Sequence, residues 1–266
     1  MDLNIIKTDL LDDFRERIKF NPLENINKMK EINIPVDYFQ FYKSISSVYS
    51  SKIEGEDIDF DSYYKHKFLK VKFKHNYTKK ADDLFLAYDF IEKKPLNFDN
   101  VKIAHSLLSS NLLPKSQQRV IRTNPMFVIN SDDLIEYVAA DPKTVKYELE
   151  KLFQDIKTLL EVESDSIEIF YFASFIHLLF VKIHPFQDGN GRTARLLEKW
   201  FLIEKFGIKA SAIQLEKNYF KNIKDYYLNI KKIGLKYELL DYQNSLDFLL
   251  MTIESIKTTP LDKKSS

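Results

Sequence analysis

His184 opens a run of twelve residues, His184-Pro185-Phe186-Gln187-Asp188-Gly189-Asn190-Gly191-Arg192-Thr193-Ala194-Arg195, whose types and spacing suit one kind of chemistry. A histidine titrates near neutrality and can serve as a general base. Asp188 is the run's one carboxylate, and Mg²⁺ is commonly held by one or two carboxylates together with phosphate oxygens. Gly189-Asn190-Gly191 permits positive φ and lets successive backbone N–H groups converge on an anion. A helix starting there would add free N–H groups and a positive dipole end at the same place. Arg192 and Arg195 would lie in its first turn. The dipole disfavours cations there, so their charge points to an external anion. Taken singly, each feature has a plainer reading: a hydrogen-bonded structural histidine, an ordinary loop, a solvated arginine pair. Base, carboxylate, anion nest and two arginines together in twelve residues do not.

The elements that must hold this run are helical. Apolar residues recur at i, i+3, i+4 spacing along most of the chain. The pattern predicts an amphipathic helix over 3–20, a short one over 22–33, and a longer one over 36–54 that stops at Gly55. Further helices are expected at 78–93, 98–112, from Pro142 to about 162, and over 167–183, 192–206, 216–232 and 242–257. Val120–Arg122 and Met126–Ile129 flank Thr123-Asn124-Pro125 and read as a small hairpin. Lys263–Ser266 reads as a frayed end. The expected class is all-α with one small β-hairpin.

Composition narrows the function classes. The chain has 266 residues, 44% hydrophobic and 30% charged, with a net charge of +1. That balance calls for neither nucleic acid nor an anionic membrane. The basic run Lys65 to Lys74 reads as a solvated face. There is no cysteine, which excludes disulfides and cysteine-based metal sites or nucleophiles. The N-terminus lacks the basic and apolar regions of a secretory signal. Ile167 to Ile183 carries Glu168, His177 and Lys182, and is shorter than the roughly 20 residues of a spanning helix. It is expected to be a core helix, and the protein to be cytoplasmic.

The twelve-residue run resembles the signature of the Fic family, HPFx(D/E)GNGRxxR, at every specified position. The resemblance extends over roughly 36–250 and includes His177 on the preceding helix. It implies a Fic-type helical bundle with a β-hairpin flap. The domain would span 36–258, after an N-terminal helical extension (1–35) and before a C-terminal tail (259–266). By this resemblance His184 is the general base for a target hydroxyl, and Asp188 ligates Mg²⁺ or Mn²⁺. Asn190 and the backbone of Gly189–Gly191 cradle the inner phosphates of ATP. Arg192 and Arg195 grip the outer ones, and Phe186 anchors the loop.

Ser50-Ser51-Lys52-Ile53-Glu54-Gly55 resembles the family's inhibitory (S/T)xxxE(G/N) pattern, on a helix of about 36–55. There Glu54 would pair with Arg195 and displace the γ-phosphate, with Ser50 on the same helix face. Met126, Phe127 and Val128 resemble the flap that aligns a target segment by strand addition. The usual glycine and aromatic before it are replaced here by Arg119 or Val120 and by Ile121. Tyr226 and Tyr227 resemble aromatics on the adenine side of the pocket, and core packing is an equal reading for them.

The resemblance implies transfer of AMP from Mg-ATP to a Ser, Thr or Tyr of a protein. The target is unidentified, and self-modification and a homodimer stay open. Alternatives are another nucleotide donor, removal of AMP with Glu54 orienting water, or a non-catalytic nucleotide-binding module. Doc-type kinases of the family carry lysine where this chain has Gly191, which favours AMP transfer over phosphorylation.

Overall fold

Short polar side chains start five of the helices: Asn21, Asp37, Asp59, Asn97 and Asp165 each accept a backbone N–H from the turn that follows. A computed structural model describes residues 2–28, 36–74, 76–129 and 135–257. In chain order these form α1 (Leu11–Arg17), α2 (Pro22–Asn27), α3 (Tyr38–Ile53), α4 (Phe60–Leu69), α5 (Lys79–Ile91) and α6 (Phe98–Leu108). The strands β1 (Phe127–Ile129) and β2 (Ile135–Val138) follow. Then come α7 (Val145–Glu161), α8 (Ser166–Ile183), α9 (Asn190–Phe206), α10 (Leu215–Lys221), α11 (Ile223–Lys232) and α12 (Leu246–Glu254).

The fold is helical with one two-stranded antiparallel hairpin. Its axis is α8. Asp165 and Glu168 close a reciprocal capping box at its start. By length and composition α8 could cross a membrane, but 78% of it is buried inside the protein. It lies against α7, α9 and α12. Phe170, Phe175, Leu178 and Phe180 of α8 are fully buried, as are Trp200 and Phe201 of α9. This pair of helices forms the base from which the loop between them projects.

The chain's start departs from the expected helix over 3–20. Only Leu11–Arg17 is helical. Ahead of it, the backbone N–H groups of Asn4, Ile5 and Ile6 all donate to the Asp155 carboxylate on α7, at 2.7–3.0 Å. A buried carboxylate 150 residues away thus satisfies donors that a helix would have used. Ile5, Ile6, Leu10 and Phe14 join the same core as α8 and α9.

Helix α4 overlaps the run Lys65–Lys74, whose residues are exposed or half-buried as expected, but the helix itself was not expected. Only Tyr63 of α4 is buried, so its apolar stripe is too thin to recognise from spacing. The expected helix 216–232 is two helices. At the break, the Asn222 side chain donates to the Asn218 carbonyl at 3.0 Å and competes with the helical ladder. The expected helix 242–257 begins as a 3-10 turn, Tyr242–Ser245. The hairpin pairs β1 with β2, Phe127 opposite Val138, not with Val120–Arg122. Residues 130–134, which join the strands, lie outside the described residues, as do 29–33 of the expected second helix and the tail from 258 on.

Helix α3 matches its expected span but not its expected amphipathicity. Besides Tyr42, Ile45, Val48 and Ile53 it buries Lys43 and five serines, Ser44, Ser46, Ser47, Ser50 and Ser51. It runs inside the molecule between α5 and α10, with its C-terminal end at the loop that follows α8.

Candidate active site

Helix α8 ends in a left-handed turn at His184, φ 53°. Its Nδ1 lies 3.1 Å from the Val181 carbonyl, an oxygen that can only accept. The proton is therefore on Nδ1, and the lone pair is on Nε2. Burial, reinforced by the charge of Arg122, holds His184 below the ordinary histidine value. At neutral pH this is an imidazole with a free basic nitrogen.

The loop after His184 is held from within. The Asn190 side chain takes the Phe186 N–H and returns a hydrogen bond to the Phe186 carbonyl, both at 2.8 Å. Phe186 is fully buried. A buried ring of this size contributes about 1.5–3 kcal/mol. It stacks on His105 of α6, with centroids 3.7 Å apart. His105 Nδ1 accepts from the Arg119 N–H, so its Nε2–H donates to the Asp188 carbonyl at 3.0 Å. Burial pushes His105 down to about 4, which keeps this arrangement neutral.

Arg122 braces the other side. Its guanidinium donates to the carbonyls of His184, Asn124, Ala140 and Ile183, and its N–H donates to that of Pro185. The Arg122 N–H is thus paired with Pro185 and not with a neighbouring strand. Arg122 ties the base of the hairpin to the end of α8.

Helix α9 begins inside the loop. Gly189 has φ 78°, which glycine adopts without strain. The first N–H groups of α9, at Asn190, Gly191 and Arg192, precede any intrahelical acceptor, and the positive end of the dipole adds to them. Asp188 is exposed, with one carboxylate oxygen 2.6 Å from the Gly189 N–H. Among the described residues no cluster of three or more His, Asp or Glu forms a metal cage. One exposed carboxylate beside an anion nest instead fits Mg²⁺, which takes its remaining ligands from phosphate and water.

Arg195 is fully buried. Its Nε donates to Ser50 Oγ at 3.0 Å, Nη1 to Tyr226 Oη at 3.3 Å, and Nη2 to the Ser50 carbonyl at 3.2 Å and to Glu54 Oε1 at 2.7 Å. Among the described residues only one Glu54 oxygen is engaged, so the pair is not the two-pronged fork that a carboxylate allows. Burial works to raise the Glu54 carboxyl, but Arg195 and Arg192 outweigh it and hold it below the usual range. Gly191 makes this approach possible: a Cβ there would sit 2.6 Å from Glu54 Oε1. Arg192 is also buried, with Nη2 3.4 Å from Glu56 and Nε without a partner among the described residues.

A cavity of about 450 Å³ opens in front of these groups. It brings together Glu54, Val128, His184, Gly191, Arg195, Tyr226 and Tyr227, all named from the sequence. Others stand apart from its wall. Ser50 lies behind Arg195, and the Asn190 side chain is spent on Phe186, leaving its N–H for a ligand. Phe127 is exposed, and the Met126 carbonyl accepts from Ala139 at the root of the hairpin. The tyrosine pair divides within the wall: Tyr226 is buried with its hydroxyl against Arg195, whereas Tyr227 is half exposed and donates to the Ile53 carbonyl at the end of α3. His105, Arg122 and Lys182 were not singled out from the sequence. Lys182 is buried at the cavity wall against the Tyr137 ring, and burial pushes it down to about 7. No spacing rule signals these three, because each works through backbone carbonyls far away in sequence.

The family model for the Fic/DOC family matches residues 95–202, and the chain carries a Fic/DOC family domain. Solved structures agree in fold. A Fic family protein from Desulfovibrio desulfuricans G20 aligns with TM-score 0.73 at 16% identity, covering 96% of this chain and 74% of its own. A Fic domain containing signaling protein from Bacteroides thetaiotaomicron VPI-5482 aligns at 0.62 and 15% identity, covering 92% and 93%. Fic-1 (aa134–508) from C. elegans aligns at 0.59 and 16%, covering 93% and 69%.

Proposed function

We propose that this protein is an adenylyltransferase that moves AMP from ATP to a protein hydroxyl, and that Glu54 restrains it. The observation that carries the reading is the convergence of His184 Nε2, the N-terminus of α9 and the buried Arg195 on one cavity. In the reaction the acceptor oxygen attacks the α-phosphorus of ATP. The bond from that phosphorus to the bridging oxygen breaks, and pyrophosphate leaves. The acceptor proton passes to His184 Nε2. The N–H groups of Asn190, Gly191 and Arg192 hold the inner phosphates, and Arg195 takes the γ-phosphate once Glu54 has left it. Asp188 would hold Mg²⁺, which neutralises phosphate charge when bound. Catalysis of this kind rests on positioning and electrostatic stabilisation.

Gly191, where Doc-type kinases of the family carry lysine, supports nucleotide transfer over the phosphorylating mode. The adenine preference rests on the resemblance, and the target is a protein outside this chain or another copy of it. The test is to incubate Glu54→Gly protein with Mg²⁺ and each α-labelled nucleoside triphosphate, then locate the label by mass spectrometry. Label from ATP on a Ser, Thr or Tyr supports the reading. Label from another nucleotide alone would replace the donor. No label from any donor, on the protein itself or on proteins of a cell extract, would remove the reading.

A further inference from the structure

Behind Arg195 lies a run of buried polar groups that the transfer chemistry leaves unused. Glu198 of α9 is fully buried and accepts at both oxygens: from Tyr219 and Thr252 at Oε1, each at 2.7 Å, and at Oε2 from His177 Nδ1, also at 2.7 Å. His177 Nε2 is 3.0 Å from the Tyr226 hydroxyl, which in turn is 3.3 Å from Arg195 Nη1. His177 is fully buried and Tyr226 nearly so.

The direction of every hydrogen bond follows from counting hydrogens. Arg195 can only donate, so the Tyr226 oxygen accepts from it. The Tyr226 hydrogen then needs an acceptor, and His177 Nε2 is the atom within reach. That nitrogen must carry a lone pair, so the ring hydrogen is on Nδ1 and donates to Glu198. With a hydrogen on Nε2 instead, Tyr226 would face two donors and its own hydrogen would have no acceptor. A chain in which all groups donate the same way polarises along its length.

We propose that Tyr226, oriented by His177 and Glu198, is the positioning residue that keeps the Arg195 guanidinium aimed at the cavity when Glu54 lets go of it. Of the other partners of Arg195, Ser50 and Glu54 both belong to α3 or its end. Among the described residues, Tyr226 on α11 is the one hydrogen-bonding anchor that does not depend on the restraining helix. Once the Glu54 contact is broken, a flexible arginine with a fixed acceptor at Nη1 presents its remaining hydrogens to a phosphate without a search through rotamers. Removing the acceptor should weaken the arginine's grip without emptying the site.

This proposal rests on Arg195 binding the outermost phosphate, as in the functional reading above, and its test separates the two. Binding of ATP and of ADP, each with Mg²⁺, is measured by calorimetry on full-length Glu54→Gln protein. Tyr226→Phe and Tyr219→Phe are then added to it singly. Both changes delete one hydroxyl from the same buried cluster and keep the ring, so a general packing effect would treat them alike. Thermal melts establish that both variants are folded at the temperature of the titration. The expected result is that Tyr226→Phe binds ATP about tenfold more weakly with ADP unchanged, while Tyr219→Phe keeps the parent's ratio of ATP to ADP affinity. A parental ratio in Tyr226→Phe, or an equal loss in both variants, overturns the positioning role and leaves the functional reading standing. Failure of the Glu54→Gln parent to bind either nucleotide overturns both.

Discussion

The loop 184–195 and the end of α3, residues 50–56, meet at the wall of the cavity and are built on opposite principles. In the loop, polar groups are spent on its own backbone or on braces beneath it: Asn190 on Phe186, His105 on the Asp188 carbonyl, Arg122 on the His184 carbonyl, Thr193 on the Gly189 carbonyl. At the end of α3 the two carboxylates make few contacts, and those are shared. Among the described residues the Glu54 side chain makes one hydrogen bond, to Arg195, and is 27% exposed. One oxygen of Glu56 serves both Lys80 and Arg192. A frame whose hydrogen bonds are internal stays put when a ligand arrives, whereas a carboxylate held by one bond to an arginine can be exchanged for a phosphate. On the proposed function, this difference would give the loop the preformed geometry and the α3 end the control.

Breaking the loop should therefore abolish function, and breaking the α3 end should release it. The largest effect is expected from His184→Ala, which should slow transfer by about 10²–10⁴-fold. Nucleotide binding, read by calorimetry, should survive because the nest and the arginines are untouched. In an active variant such as Glu54→Gln, the acid limb of the rate profile should lie below the usual histidine range. The depressed pKa keeps Nε2 unprotonated to lower pH, and activity is lost as pH falls through it. A limb above that range would show that His184 is not the titrating base.

Next comes Asn190→Ala, which removes both bonds to Phe186. Losing them should misplace the loop by about 1 Å, a shift that can cost on the order of 10²-fold in rate. Melting temperature should fall too, since a buried N–H and carbonyl lose their partners, at about 1–3 kcal/mol for each group left unsatisfied. A variant with normal rate and lowered stability would show that the clamp serves the fold alone. The smallest effect belongs to Glu56→Gln. Its long contact with Arg192 is partly solvated, and such pairs contribute about 0–1 kcal/mol. Transfer should rise only by about two- to fivefold, measured as initial rate of self-labelling. A rise as large as that of Glu54→Gln would make Glu56 an equal partner in restraint.

The parts of this comparison were unequally legible beforehand. The motif from His184 to Arg195 was readable because base, carboxylate, glycines and arginines are informative types at short spacing, whereas Glu54 stood out only through the resemblance of Ser50–Gly55 to the family's inhibitory pattern. The long helices α3, α7, α8 and α9 followed from apolar periodicity or from sustained apolar character. What stayed hidden depends on partners distant in sequence. Arg122 reaches a carbonyl 62 residues on, and His105 one 83 residues on. Asp155 draws the first residues out of a helix from 150 positions away. The role of Tyr226 was hidden for the same reason, since nothing in a Tyr-Tyr pair reveals that one ring backs an arginine and the other holds the end of α3.

The central claim is that Arg195 serves Glu54 or the outer phosphate of the donor in turn. It is tested most directly by the initial rate of labelling from α-labelled ATP, measured at equal nucleotide for wild type, Glu54→Gln and Glu54→Gly. Glu54→Gln removes the charge while leaving the end of α3 intact, so it isolates the contact from any loosening of the helix. The account predicts weak labelling by wild type and a rate higher by about 10–10²-fold in both variants, in line with the cost of a misaligned triphosphate. Equal rates in all three proteins, or slower labelling by the variants, would contradict it.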